Sequence, residues 1–327
     1  MPGIHLLKIP IPESTLQYVN VYLIQGKTGY LLVDTGWNND ASFDSLQRQL
    51  KELKVSISDI TRIAVTHIHP DHYGLVGKLK ELSAAEFACH QRERDLIESR
   101  YIHMENLLQN MADWLKINGV PEKELPGLQS ASLPVAKYVA PTYPDLFLRG
   151  GGTYATGIFT FQVLWTPGHS PGHVCLYEPK NKLLISGDHI LPSITPNIGL
   201  HTQSSVNPLG DFLNSLDMIK KLSIRLVLPG HEVPFSGIQT RIAKIKKHHR
   251  QRNEEIMLIM AEKAKSAYQV AGEITWRHDV GGIGWKYLEP LHKRLAILET
   301  LSHLEYIRSQ GKLAKSSRDG VLYYQRK

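Results

Sequence analysis

The chain has 327 residues and a formal net charge of +7, and its length allows one large domain plus one small domain. Its composition is that of a soluble globular protein, and no run approaches ~20 apolar residues, which excludes a membrane-spanning helix and a membrane partner. The start MPGIHLLKIPIPEST lacks the basic-then-apolar pattern of a secretory signal, so we expect a cytoplasmic protein. Cys89 and Cys175 do not make a disulfide framework, and we expect them to be buried thiols.

The positive charge is concentrated at the carboxyl end. From Arg241 onward there are 18 Lys and Arg against 9 Asp and Glu, a balance of +9, whereas residues 1–240 hold 20 against 22, a balance of −2. This asymmetry indicates a boundary near residue 240. The basic tail is compatible with nucleic-acid contact or with a solvated helical face, and the sequence favours the solvated face.

The first part of the chain alternates strands with helices. Apolar runs rich in β-branched residues predict strands at 16–26, 29–36 and 60–66. Helical periodicity follows the second strand at 42–53 and the third at 75–82. This order is typical of an α/β fold in which helices cover sheets.

A helical insertion is predicted at about 92–150. Apolar residues recur at three- and four-residue steps from Met104 to Leu115, which indicates an amphipathic helix. The insertion could form an apolar lid over a site, or it could simply pack on the sheet. Strands return at 159–169, 173–179 and 182–188, and a helix near 211–222 leads to a strand at 225–232.

Metal-ligand side chains are crowded in THIHPDHYG (66–74), directly after the third predicted strand. Pro70 stops that strand, and Asp71 and His72 fall where a helix would begin. Packing His67, His69, Asp71 and His72 together without a cation would bury polar groups with few partners. Imidazole and carboxylate together suit zinc, with iron, manganese, cobalt or nickel as alternatives.

Three later turns share one design, an apolar strand that ends in a small-residue turn with a His or Asp. They are LWTPGH with His169, LLISGD with Asp188 and LVLPGH with His231. Glycine beside each polar residue lets the backbone approach closely, so the three side chains can be aimed at a common point.

These motifs, with VDTG (33–36) upstream, resemble those of the metallo-β-lactamase superfamily across roughly residues 1–240, in its glyoxalase II-like or lactamase-B-like branch. The resemblance implies a four-layer αββα sandwich with a dinuclear metal site at one edge. It assigns His67, His69 and His169 to the first metal and Asp71, His72 and His231 to the second, with Asp188 bridging both. Asp34 would orient the ligand loop by hydrogen bonding.

The cofactors implied are two divalent metal ions, for which we expect zinc, with iron or manganese as alternatives. His5, His90, His103, His201 and the pair at 248–249 match no motif and are interpreted as non-ligands. His189, His201 and Tyr73 could lie near the site and contact substrate.

The expected activity is hydrolysis by a hydroxide that bridges the two metals, with Asp71 as proton carrier. Members of the superfamily act on β-lactams, thioesters, lactones and phosphodiesters, so the fold cannot choose the substrate. We expect a thioester or a related ester or lactone. The alternatives are a single-strand RNA endonuclease and a nucleic-acid-binding protein that uses the basic tail.

Residues 241–327 have the order of a winged-helix domain. Helices are predicted at 241–265, 267–276 and 291–313, and Asp319-Gly320 predicts a hairpin turn. This order resembles a small C-terminal domain found on one branch of the superfamily, which includes a single-strand RNA endonuclease. The third helix is apolar at Leu295, Ile297, Leu298, Leu301, Leu304 and Ile307. It is therefore expected to pack or to form a homodimer contact rather than read a nucleic-acid groove.

Overall fold

A computed structural model describes residues 2–12, 16–131, 133–261, 263–276 and 282–327. Their strands are β1 (Ile4–Pro10), β2 (Tyr18–Gln25), β3 (Tyr30–Val33), β4 (Ile60–Ala64), β5 (Glu86–Cys89), β6 (Leu146–Phe147), β7 (Thr153–Ala155), β8 (Thr160–Trp165), β9 (Val174–Glu178), β10 (Leu183–Gly187), β11 (Leu226–Pro229), β12 (Leu313–Arg318) and β13 (Val321–Arg326). Their α-helices are α1 (Asp40–Glu52), α2 (Pro70–Tyr73), α3 (Val76–Ser83), α4 (Gln91–Ile97), α5 (Glu105–Ile117), α6 (Leu125–Gln129), α7 (Leu133–Ala136), α8 (Pro208–Lys220), α9 (Ile238–Ile259), α10 (Ala267–Glu273) and α11 (Pro290–Ser309).

Two sheets form the centre of the molecule. The first has the strand order β1-β2-β3-β4-β5-β6 and the second has the order β11-β10-β9-β8-β7. In the first sheet β3, β4 and β5 are parallel, and in the second β10 and β11 are parallel. Parallel neighbours bring their carboxyl ends to one edge, which is where the loops after β4, β10 and β11 lie.

The sheets are stacked face to face with helices on both outer faces. Between the sheets, Val33 and Ala64 of the first pack against Leu176 and Ile185 of the second. The outer face of the first sheet packs against α1 and α3, and the outer face of the second packs against α8 and α9. This helix–sheet–sheet–helix arrangement is a mixed α/β fold consistent with the predicted sandwich.

The predicted helical insertion shares a core with the carboxyl-terminal helices. Leu115 of α5 and Leu128 of α6 belong to the same buried cluster as Ile256 of α9 and Ile297 of α11. Part of the apolar face of the insertion is therefore covered by the C-terminal segment, and a role of the insertion as a lid stays a prediction.

Residue 240 lies inside the first turn of α9 rather than in a linker. Ile238, Ile242 and Ile245 at the start of this helix pack with α8 on the second sheet, whereas Ile256 near its end packs in the C-terminal cluster. One continuous helix thus joins the two parts of the chain.

The C-terminal segment has the predicted order of three helices and a hairpin, β12 and β13. The turn residues Asp319 and Gly320 have φ of 49° and 76°, as a tight hairpin turn requires. The prediction of one helix over 241–265 was wrong at its end, since α9 ends at Ile259. Lys265 instead forms a pair of backbone hydrogen bonds with Tyr324 of β13, and Ser266 caps α10.

None of the helices in the described residues has the length and apolarity needed to cross a membrane. Both cysteines, Cys89 and Cys175, are free and buried, as predicted.

Candidate metal centre

The residues of the HxHxDH motif lie on a loop and a short helix. Strand β4 ends at Ala64, two residues earlier than predicted, so His67 and His69 leave a loop rather than the strand. Pro70 occupies the first turn of α2, and Asp71 and His72 follow within that helix. The motif therefore places two candidate ligands on a loop and two on the helix that follows it.

The other three candidate ligands follow strands of the second sheet. His169 lies in the turn after β8, Asp188 directly follows β10, and His231 lies two residues after β11. Gly230 is needed for this convergence, because a Cβ there would lie 2.4 Å from Asp188 Oδ1 and 2.8 Å from His72 Cε1. The structure brings all seven predicted ligands together.

Three histidines form the first group of potential ligands. His69 Nδ1 lies 2.9 Å from His67 Nε2 and 3.0 Å from His169 Nε2. Nitrogen ligands at 2.0–2.1 Å from a tetrahedral zinc ion lie about 3.3 Å apart, so the spacing fits one cation with small adjustment.

The second group consists of Asp71, His72 and His231. His231 Nε2 lies 3.2 Å from Asp71 Oδ2, and His72 Nε2 lies 3.6 Å from the same oxygen. Asp188 lies between the groups. Its Oδ1 is 3.3 Å from His72 Nε2, and its Oδ2 is 3.7 Å from His169 Nε2. Its two oxygens thus face different groups, as a bridging carboxylate would require.

Several of these polar atoms lack a hydrogen-bond partner. Among the buried side-chain atoms of the described residues, His72 Nε2, His231 Nε2 and Asp188 Oδ1 have none. Buried polar groups are rarely left in this state, and each of these atoms points to the same small space. The His and Asp clusters therefore fit a divalent metal site.

Four of the candidate histidine ligands are oriented by hydrogen bonds to Nδ1, the ring nitrogen that does not face the other candidate ligands. His72 Nδ1 lies 2.9 Å from Asp34 Oδ2, and Asp34 Oδ1 also accepts the backbone N–H of Thr66 at 2.8 Å. His169 Nδ1 donates to the Asn197 carbonyl at 2.9 Å and His231 Nδ1 to the Tyr18 carbonyl at 3.0 Å. His67 Nδ1 lies 3.1 Å from the Thr66 hydroxyl. Such contacts select the tautomer that presents the opposite nitrogen to a metal.

The two groups differ in electrostatics. Burial and neighbouring histidines lower the pKa of His67 and His69, which keeps both imidazoles neutral. Burial alone would lower the pKa of His231, but the Asp188 and Asp71 carboxylates raise it to about 10. Burial would raise the pKa of Asp71, yet His72 and His231 lower it to about 2. A cation entering the second group must therefore displace protons from imidazoles.

Glu93 is a site-supporting residue that the sequence did not indicate. It is fully buried on α4, where one carboxylate oxygen accepts the Ile68 N–H at 2.9 Å and the other accepts the Gly172 N–H at 2.7 Å. It therefore ties the loop of His67 and His69 to the loop of His169. Its sequence context, QRERD, looks like an exposed charged helix, so no signal identified it.

His173 is a second supporting residue, four residues beyond His169 in the segment TPGHSPGH. Its Nε2 accepts the backbone N–H of Asp188 at 3.2 Å, and its Nδ1 lies 2.8 Å from the Thr166 hydroxyl. It thereby holds the backbone of the bridging carboxylate.

Of the three residues that could contact substrate, only His201 lines a cavity beside the candidate ligands among those that the structure describes. Tyr73 is fully buried, and its hydroxyl binds the backbone of Thr142. His189 is also fully buried, with its ring 4.8 Å from that of Phe212. Neither side chain faces the candidate ligands.

A cavity of about 420 Å³ opens onto the candidate ligands and includes His69, Asp71, His169, Asp188 and His231 in its walls. Its apolar wall comes from α11 through Leu291, Leu295 and Leu298. A second cavity of about 270 Å³ shares His69 and these three leucines and adds Leu107, Met111, Arg100 and Arg294. The second cavity is thus an extension that leads away from the ligands between α5 and α11.

The chain is similar over its whole length to a solved structure of a metallo-beta-lactamase family protein from Thermus thermophilus. The two are 31% identical with a TM-score of 0.83, and the match covers 100% of this chain and 99% of the other.

Two curated relatives also match most of the chain. A "probable metallo-hydrolase" of Bacillus subtilis (strain 168) is 27% identical over 280 residues, which cover 82% of this chain and 83% of the relative. The Homo sapiens protein named "acyl-coenzyme A thioesterase MBLAC2" is 26% identical over 223 residues, which cover 67% of this chain and 74% of the relative.

A model of the metallo-beta-lactamase superfamily matches residues 14–231, which contain every candidate ligand. The matched region, the stacked sheets and the clustered His and Asp side chains agree, and this chain belongs to the metallo-beta-lactamase superfamily of hydrolases.

Proposed function

We propose that this protein is a dinuclear metal hydrolase that acts on a thioester or a related ester or lactone. His67, His69 and His169 would hold one divalent ion, Asp71, His72 and His231 the other, and Asp188 both. Zinc suits this set of imidazoles and carboxylates, with iron and manganese as alternatives. When bound, two such ions supply an activated water and Lewis acidity at the substrate carbonyl.

The chain's own residues would orient the reaction and move the proton. Asp71 lines the cavity with a side chain that is 16% exposed, so one carboxylate oxygen can reach a substrate atom. We assign it the transfer of a proton to the leaving group. Asp34 would keep His72 in one tautomer, and Glu93 would hold the two ligand loops at a constant separation.

The substrate class is inferred from the apolar cavity beside the candidate ligands. Leu291, Leu295 and Leu298 form a continuous wall there, and the extension adds Leu107 and Met111. An acyl chain would bury its methylenes against these side chains, each worth about 0.8 kcal/mol. This continuity between apolar cavity and metal cluster is the observation that carries the proposal. The human relative named an acyl-coenzyme A thioesterase supports the same class.

Cleavage of single-stranded RNA is less well supported. The three helices and hairpin of the tail have winged-helix order, and we retain that domain assignment as a proposal. However, Ile297, Leu301 and Leu304 of α11 are buried within the chain, and Leu291, Leu295 and Leu298 face the cavity. Packing accounts for the apolar residues of this helix, so neither groove binding nor a homodimer is needed to explain them.

The test is thiol release from acyl-coenzyme A thioesters by metal-loaded protein, read with a thiol-reactive dye. Both cysteines of the chain are buried, so the protein itself contributes little signal. We expect release that falls to the level of chelated protein in Asp188→Ala. Asp44→Ala, an exposed change on α1, serves as the matched control and should keep full activity.

Two further measurements complete the experiment, the metal content of ligand variants and the cleavage of an RNA oligonucleotide. His169→Ala and His231→Ala each remove a ligand from only one group, so each should bind about one metal where the parent protein binds two. A single-stranded RNA oligonucleotide is incubated in parallel. If the loaded protein cleaves the RNA and leaves every thioester intact, the proposed substrate class is wrong.

A further inference from the structure

The extension of the substrate cavity contains two cationic side chains. Arg100 and Arg294 both line it, and no Asp or Glu is among the described residues in its wall. The rest of the wall is largely apolar, with Leu107 and Met111 from α5 and Leu295 and Leu298 from α11. An apolar passage with two cations in its wall suits a ligand that has both an apolar chain and an anionic group.

Arg294 is a buried cation. Only 6% of the residue is exposed, and its Nη1 donates to the carbonyls of Leu128 and Gln129, both at 3.2 Å. Its Nε is buried without a hydrogen-bond partner in the described part of the chain. Burial lowers its pKa to about 10, with no acidic group offsetting this effect. A desolvated guanidinium of this kind costs free energy unless an anion pairs with it.

Arg100 is held in place from the other side of the extension. It lies in the π-helical turn Glu98–Ile102, and its Nε donates to Gln203 Oε1 at 2.9 Å. Gln203 in turn donates to the Ser99 hydroxyl at 2.8 Å. These contacts use one N–H of the Arg100 guanidinium. Its Nη1 and Nη2 form no hydrogen bond with the residues that the structure describes. π-helical turns occur frequently at functional sites.

His201 shows that the two guanidinium groups act on the same space. Burial lowers the pKa of His201 to about 3, and the charges of Arg100 and Arg294 both contribute. A neutral imidazole adds a hydrogen-bonding group there without offsetting the positive charge.

We propose that Arg100 and Arg294 bind an anionic group of the substrate, a carboxylate at the far end of the acyl chain, and so select acyl esters or thioesters of dicarboxylic acids. This inference rests on the proposed function. Paired guanidinium groups bind a carboxylate through charge-assisted hydrogen bonds, and the leucine wall accommodates the intervening methylenes. The phosphates of a thiol carrier are a second source of the same anionic chemistry.

Matched substrates separate these sources. Hexanoyl and adipoyl thioesters have acyl chains of equal length and differ in the terminal carboxylate, and each is made on coenzyme A and on N-acetylcysteamine, which has no phosphate. A carboxylate preference on both carriers, with KM about 10- to 100-fold lower for adipoyl, supports the proposal. If KM is lower on coenzyme A than on N-acetylcysteamine by the same factor for both acyl groups, the bound anion is a phosphate of the carrier. If neither the terminal carboxylate nor the coenzyme A carrier changes KM, the proposal is overturned.

Arg100→Met and Arg294→Met should each raise KM for adipoyl substrates by a much larger factor than KM for hexanoyl substrates, and Arg294→Lys should keep part of the adipoyl preference. Arg250→Met, an exposed change on α9, is the matched control. Because Arg294 also holds two backbone carbonyls, its variant is checked by thermal melting, and Arg100→Met carries the test if that variant unfolds. Equal losses for both substrates would contradict a role in anion binding.

A binding measurement is independent of turnover. The metal-loaded protein is titrated calorimetrically with adipate and with hexanoate. Both acids have one carboxylate that can bind at the metals, and only adipate has a second carboxylate at its other end. Adipate should bind at least about tenfold more tightly, and Arg100→Met should remove the difference. If no thioester is hydrolysed but this difference is found, the proposed function fails and the anion site stands. Equal affinities would refute a carboxylate as the anion bound by the two arginines and would leave the proposed function standing.

Discussion

The carboxylate of Glu93 accepts a hydrogen bond from the backbone N–H of Gly172 at 2.7 Å, three residues beyond His169. Its other oxygen accepts the N–H of Ile68, which lies between His67 and His69. A single buried side chain therefore sets the distance between two loops that carry the first group of candidate ligands. We therefore expect the geometry of the candidate metal site to depend on this residue, although it contacts no ligand atom of that group.

Glu93→Gln is expected to lower the free energy of unfolding by about 1–3 kcal/mol and to weaken metal binding. The amide NH₂ of glutamine would face a backbone N–H, so at least one buried donor would lose its acceptor. Urea unfolding gives the stability, and metal analysis after dialysis gives the occupancy. Glu81→Gln, an exposed change on α3, should alter neither quantity. An unchanged metal content in the Glu93 variant would show that the loop spacing does not depend on this contact.

Asp34→Asn is expected to reduce metal affinity about 10- to 100-fold with little loss of fold. The amide oxygen would still accept the Thr66 N–H, but the amide NH₂ would face His72 Nδ1 and could not accept its proton, so His72 would lose the contact that selects its tautomer. Competition with a chromogenic chelator measures the affinity. Asp44→Asn on α1 is the control, since that side chain is exposed. Equal affinities of the Asp34 variant and the parent protein would rule out an orienting role.

Leu295→Trp is expected to discriminate between substrates by chain length. Leu295 lines both cavities, so a larger side chain would occupy space that a long acyl chain needs and leave an acetyl group unaffected. We expect KM for an octanoyl thioester to rise about tenfold or more, with acetyl thioester kinetics unchanged. Leu258→Trp, at a position that is 75% exposed on α9, should change neither. A similar loss on both substrates would place the acyl chain elsewhere.

Glu305 is expected to make the C-terminal segment less stable in acid. Its carboxylate accepts hydrogen bonds from Lys315 Nζ at 2.6 Å and the Tyr324 hydroxyl at 2.7 Å, which join α11 to the hairpin. Burial would raise the pKa of Glu305, but these hydrogen bonds outweigh it and hold the pKa below its ordinary value. The stabilising contribution is therefore complete above the unfolded pKa of about 4.3 and is lost as pH falls through the lower, folded value.

Glu305→Gln tests this dependence. The variant should be about 1–3 kcal/mol less stable at pH 7, and the difference from the parent protein should shrink in acid. Urea unfolding at pH 7 and at successively lower pH measures it, with Glu254→Gln on α9 as the exposed control. A difference that is constant with pH would mean that the charge of Glu305 is unimportant.

Local sequence patterns predicted much of the fold and the members of the candidate site. Strands β2, β3, β8, β9 and β10 lie within predicted runs, because alternation and β-branched residues act over a few residues. His67, His69, Asp71 and His72 were recognisable because four potential ligands within six positions are rarely placed together without a metal. Their metal-binding role stays a prediction, whereas their proximity to His169, Asp188 and His231 is a property of the structure.

The sequence by itself determined the α/β order, the ligand-rich turns and the three helices and hairpin of the tail, since each is coded by residues close together in the chain. The tertiary structure alone decided that α5 and α11 contribute to one buried core, that Glu93 joins two ligand loops, and that Leu295 and Arg294 line one cavity with His69 and Arg100. These relationships join residues that are far apart in the chain. Side-chain periodicity carries no information about such pairs, because it records which face of an element is buried and not what covers that face.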